Sequence, residues 1–100
     1  MNRVRLVGAL DAEPAFKSAE AGRGAVLQLR LRTDDEHGVH GHRVMALGAR
    51  ARAMARAFRA GDRVIVEGHL VTSAYEKNGE RRYATVVVAH RVLRGDKRIA

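Results

Sequence analysis

The chain has no cysteine and no tryptophan, a single proline, and only four aromatic residues, Phe16, Phe58, Tyr75 and Tyr83. Without thiols, disulfides and thiolate metal sites are excluded, and the fold needs no oxidising compartment. No apolar run is long enough to cross a bilayer as a helix or to serve as a signal peptide, because the opening MNRVR passes directly into strand-like sequence. A soluble, cytoplasmic protein is expected, with no membrane partner. Glycine-rich phosphate loops, nucleophile elbows and suitably spaced carboxylate pairs are also missing, so neither catalysis nor a cofactor is implied.

What the chain has in excess is positive charge. Its 100 residues, enough for one domain with an ordinary core, carry 19 Lys and Arg against 11 Asp and Glu, a formal charge of +8. Residues 1–39 are balanced, so the whole excess falls in residues 40–100. Such asymmetry points to a polyanionic partner, and to nucleic acid before membrane, because no basic amphipathic segment is rich in large apolar residues.

The hydrophobic pattern is mostly period two. Val4, Leu6, Val7 and Leu10 with interleaved Arg3 and Arg5 predict a first strand over residues 2–10 that bends or ends near Gly8, with Pro14 closing the segment. Residues 15–24 read as a loop with a short edge strand around Phe16. Over residues 25–32, Leu27, Leu29 and Leu31 alternate with Gln28, Arg30 and Arg32, which predicts a strand with one apolar and one basic face. Residues 33–38 are acidic and turn-like, and a further strand is expected over residues 40–47. Ala51, Met54, Ala55 and Phe58 fall at helical spacing, which predicts a helix within residues 48–61, C-capped by Gly61, whose apolar stripe plugs the bottom of a barrel. The β-branched runs Val64–Ile65–Val66 and Val86–Val87–Val88 flank Asn78-Gly79, a strong hairpin signal, so residues 63–90 read as one long hairpin with a bulge or bend at Gly68. Three strands, one helix and two strands make an all-β chain with the connectivity of a five-stranded oligonucleotide/oligosaccharide-binding (OB) barrel, the helix lying between strands 3 and 4.

Several segments carry a family likeness. The opening MNRVRLVGAL with Pro14, His42-Arg-Val-Met-Ala-Leu-Gly48, the helix after it, Gly61-Asp-Arg-Val-Ile-Val-Glu-Gly-His-Leu70 and Arg82-Tyr83 resemble, in order and spacing, the bacterial single-stranded DNA-binding proteins. The resemblance covers residues 1 to about 93. It implies a barrel over residues 1–94; residues 95–100 read as a short basic tail. It also implies a homo-oligomer, dimer or tetramer, that binds single-stranded DNA in replication, repair and recombination, associated with the nucleoid. Departures are evident: Gly41 stands where family members usually place Trp, Leu47 where an aromatic is common, and His37 near another frequent Trp. The family's long polar tail with an acidic tip has no counterpart before the basic end. This leaves two further readings open, a primosomal replication protein N-like interaction subunit for replication restart and a phage or plasmid accessory protein. An RNA-binding barrel is a third.

The candidate DNA-binding residues are then Arg3, Arg30, Arg32, His37, Arg43, Tyr75, Lys77, Arg81 and Arg82. The arginines and Lys77 suit phosphate tracking, and Tyr75 suits base stacking, with packing inside the hairpin as its alternative. Arg50, Arg52, Arg56 and Arg59 are assigned to a solvated helix face. Tyr83 is assigned to the core or a subunit interface. His40 and His42 share a strand face at i, i+2, but without Cys or an evident carboxylate nearby no metal site is assigned.

Overall fold

The computed structural model describes residues 1–17 and 26–95; most of the expected loop over 15–24, the residue 25 end of the basic strand, and the tail beyond residue 95 lie outside them. The elements are β1 (Val4–Leu10), β2 (Ala15–Lys17), β3 (Val26–Asp35), β4 (Gly38–Leu47), α1 (Ala49–Ala57), β5 (Arg63–Lys77) and β6 (Glu80–Arg94). The sheet runs β1-β5-β6-β4-β3-β2, and a further β1–β3 pairing closes its first five strands into a ring. This is the OB barrel. The helix follows the fourth strand rather than the third, because the short edge strand at Phe16, paired with β3 through Phe16↔Leu27, enters the count.

The alternation along β3 decides which side faces in. Leu27, Leu29 and Leu31 are fully buried, and they meet Val44 and Ala46 of β4, Val64 and Val66 of β5, Val87 and Ala89 of β6, and Leu10 of β1 in one core. The expected helical stripe joins it: Ala51, Met54 and Phe58 are buried and Ala55 packs against them. Burying Phe58 matters most within that stripe, since truncating a buried Phe costs about 3–5 kcal/mol.

Two expected boundaries move. The helix ends at Ala57 with Phe58 already extended (φ −124°, ψ 150°), so Gly61 is not its cap. Arginines satisfy the last carbonyls instead: Arg59 donates to the Ala55 and Phe58 carbonyls, and Arg94 donates to that of Ala57 at 2.6 Å while lying 5.3 Å over the Phe58 ring. Gly61, at φ 90°, turns the chain so that its N–H donates to the Leu10 carbonyl. The acidic turn is also shorter than its composition implied, because β3 continues to Asp35 and β4 begins at Gly38. β1 runs to Leu10 and bends at Gly8, as expected.

Gly8 and Gly68 mark the places where backbones come closest. β1 pairs with β5 from Val4 to Ala9 and with β3 at Ala9 and Leu10, so it turns the barrel corner at Gly8. A Cβ there would sit 2.1 Å from the Arg32 carbonyl oxygen. At Gly68 it would sit 2.0 Å from the Val88 carbonyl oxygen, beside a register shift that pairs Glu67 with Arg91 but Gly68 with Ala89 and leaves His90 as the extra residue. The bulge expected at Gly68 is thus present. Because the obstructing atoms are backbone, Gly68→Ala is expected to destabilise by about 3 kcal/mol or more in denaturant titration. Gly41→Ala, where nothing lies within 4 Å, is expected to stay within about 0.5 kcal/mol of the parent. Equal stability of the two variants would contradict the close approach.

Candidate nucleic-acid interface

A cleft opens where two pairs of strands diverge. β4 and β6 are paired only through Val44↔Val87 and Met45↔Val88. Ahead of that point, residues 38–43 remain paired with β3 alone, and residues 80–86 with β5 alone. The space between them is bordered by Gly41, His42 and Arg43 on one side and by Leu70, Tyr75, Tyr83 and residues 84–87 on the other. A second cleft, bordered by Asp11, Arg30, Leu31, Gly41, His42 and Arg43, adjoins it along the same strip of β4. Residues 41–43 therefore join the two into one track.

The outward phase of β3 and β4 supplies its charge. Arg30 lies directly across from Arg43, and Arg32 across from Gly41. All three guanidinium groups are exposed, and among the described residues none has an ion-pair partner. Like charges directly opposite on a sheet destabilise it, and an anion between them reverses that cost. His42 has the inward phase, and its Nε2 is 2.9 Å from Thr33 Oγ1.

The hairpin supplies the aromatics. Its two 15-residue strands run well beyond the barrel, and every residue from Leu70 to Tyr83 is exposed. Tyr75, 45% exposed, borders the cleft. Tyr83 borders it too. It is 65% exposed, which corrects its assignment to the core, and the Arg81 guanidinium stands 6.0 Å from its ring centre. It shares the phase of Val87 and Ala89, which are buried, but β4 has already diverged from β6 at that level and leaves it uncovered. Sequence shows the phase of a strand position and not where the neighbouring strand diverges.

Arg82 lies directly across from Tyr75 on the arm, where it pairs with Glu80 at 2.9 Å, and Lys77 lies opposite Glu80 at the hairpin tip. The other candidates are placed apart from the track. Arg3 borders a different cleft, with Asn2, Arg5, Glu67, His69 and His90. His37 sits in the β3–β4 turn beside Glu36, 3.5 Å away, and its N–H donates to Asp35 Oδ1. The hydrogen bond from the His40 ring at 3.0 Å, and then that from the His37 amide, hold the Asp35 carboxyl below the usual carboxylate range. That turn stays anionic, which sets it against a phosphate chain. His40 and His42 are thus engaged separately, with Asp35 and Thr33, and among the described residues no group of three or more His, Asp or Glu is placed to hold a metal.

Comparison with known proteins agrees with this architecture. The model of the "Single-strand binding protein family" matches residues 1–94. The single-stranded DNA-binding protein of Clostridium tetani is 33% identical over 99 residues, covering 92% of this chain and 68% of that protein. Single-stranded DNA-binding protein 3 of Clostridium acetobutylicum is 30% identical over 99 residues, covering 92% and 69%. In three dimensions the chain superposes on the Plasmodium falciparum SSB from its complex with ssDNA with a TM-score of 0.78 at 21% identity, over 96% of each chain, which shows a shared fold. The family match spans the whole barrel, closing strands and arm included, and the chain belongs to the single-strand binding protein family.

Proposed function

We propose that this protein binds single-stranded DNA without sequence preference along the track from Arg30, Arg32 and Arg43 across Gly41 to Tyr75 and Tyr83. The observation that carries the reading is the cleft itself, in which Arg43, directly across from Arg30, stands on one wall and two exposed tyrosines border the other. Phosphates settle against the arginines, releasing counterions, and unpaired bases stack on the phenol rings. A duplex keeps its bases stacked inside and gives the tyrosines nothing to hold. The family membership and the names of the Clostridium relatives support the same ligand.

Tyr75→Ala and Tyr83→Ala are each expected to weaken binding to an oligo-dT strand by about 1–3 kcal/mol, tenfold for every 1.4 kcal/mol, with little change in melting temperature. Fluorescence anisotropy and thermal melting together check this; early melting with normal affinity would place the ring in a structural role. Gly41→Trp tests the opposite direction. No atom lies within 4 Å of a Cβ at Gly41 and its φ is not in the positive region, so an aromatic fits there and should strengthen binding by up to about one stacking contact. Tighter binding to RNA or duplex than to single-stranded DNA in the same titrations would contradict the proposed ligand.

We also infer that the chain assembles with itself. β1 meets β3 only at Ala9 and Leu10, so among the described residues the second edge of residues 4–8 carries unpaired backbone groups, next to Val7, which is 48% exposed. Light scattering at micromolar concentration is expected to give the mass of a dimer or tetramer; the mass of a monomer would exclude edge pairing.

A further inference from the structure

The bulge at Glu67/Gly68 brings together two side chains that the track does not use. Without it, His90 would have a partner on β5; as the extra residue, it sits with Arg91 opposite Glu67, on the outer side of the barrel wall. His69 is the next outward residue along β5. The two rings meet there with centres 4.8 Å apart and planes inclined at 48°, and His69 Nδ1 lies 2.7 Å from His90 Nε2. One nitrogen donates to the other, so two imidazole lone-pair directions converge on a single point. Both rings border an open cleft shared with Asn2, Arg3, Arg5 and Glu67.

We propose that His69 and His90 form a chelating site for a transition-metal ion of imidazole-binding character, Zn²⁺, Ni²⁺ or Cu²⁺. A tetrahedral ion at about 2.0–2.1 Å from each nitrogen holds the pair about 3.3 Å apart, so the rings need part by only roughly half an ångström. The ion takes the place of the shared proton, and the ring that donated moves its proton to its other nitrogen. Water supplies the remaining positions. Charge selects among cations here: Arg3 and Arg5 border the cleft, and Glu67 is already shared by Arg5 at 3.3 Å and Arg91 at 3.7 Å. The surroundings are net positive. Mg²⁺ and Ca²⁺, which bind through charge to oxygen ligands, gain nothing, whereas Cu²⁺, Ni²⁺ and Zn²⁺ gain from the nitrogen donors themselves. An ion held by one residue of β5 and one of β6 clamps the two strands where the arm leaves the barrel.

The test is calorimetric titration of the full chain with ZnCl₂, NiCl₂, CuCl₂ and MgCl₂, with thermal melting in parallel. One equivalent of ion per chain is expected to bind, Cu²⁺ most tightly and Mg²⁺ not at all, with a rise in melting temperature. His69→Gln and His90→Gln should each weaken binding at least tenfold, while His40→Gln, at the other exposed histidine cluster, should leave it unchanged. Both rings are outward-facing, so these variants fold, as unchanged melting without metal will verify. Equal losses in all three variants, an equal response to Mg²⁺, or stabilisation by inorganic phosphate but not by Zn²⁺ would overturn the site.

Discussion

The barrel depends on two places where one backbone lies against another with no side chain between. β1 exchanges β5 for β3 within two residues, and it does so only because Gly8 lets the Arg32 carbonyl approach where a Cβ would stand. Gly68 does the same beneath Val88. With no disulfide to hold the ring, closure rests on ladder hydrogen bonds and on a core of Leu and Val that the closed ring alone can bury. The inward phase of Leu27, Leu29 and Leu31 then fixes the outward phase of Arg30 and Arg32. Apolar packing thereby sets the direction of the charge.

Closure also produces the cleft. Once β4 and β6 are joined over two residue pairs, the strand pairs on either side have to diverge, one toward the acidic β3–β4 turn and the other into the arm. The chain's charges sort along this geometry. Asp34, Asp35 and Glu36 collect at the turn, whereas Arg30 and Arg43 border the track, and Arg32 stands across from Gly41 beside it, without carboxylate ion pairs among the described residues. Arg5 and Arg91, which share Glu67, and Arg94, which meets Asp62, stand away from the track and serve the wall.

Much of this was legible in the sequence, because alternation, Asn78-Gly79 and the helical stripe are local signals. The basic strand, the long hairpin, the bulge at Gly68 and the barrel class all follow from them. What escaped depends on partners distant in the chain. Tyr83 has the phase of a buried residue, and only the divergence of β4 from β6 makes it a surface one. The helix end was misplaced because a glycine is a visible stop, while Arg59 and Arg94 reaching back to the carbonyls are not. His40 and His42 draw the eye at i, i+2, yet the imidazoles that meet are 21 positions apart and are joined by a bulge.

The arm has a consequence of its own. From Leu70 to Tyr83 no residue is buried, so this ribbon is held by its ladder, its turn and polar links such as Thr72 Oγ1 to Thr85 Oγ1 at 2.8 Å. A two-stranded ribbon without a covered face is marginal in water. Its opening therefore needs far less free energy than opening the barrel, and its amides exchange with solvent from an ensemble the core never visits. A ligand laid across it must first supply the ordering entropy of the arm, so part of each stacking contact goes into stiffening the protein rather than into residence time. Whatever fastens the root of the ribbon returns that part to affinity, without touching the ligand at all.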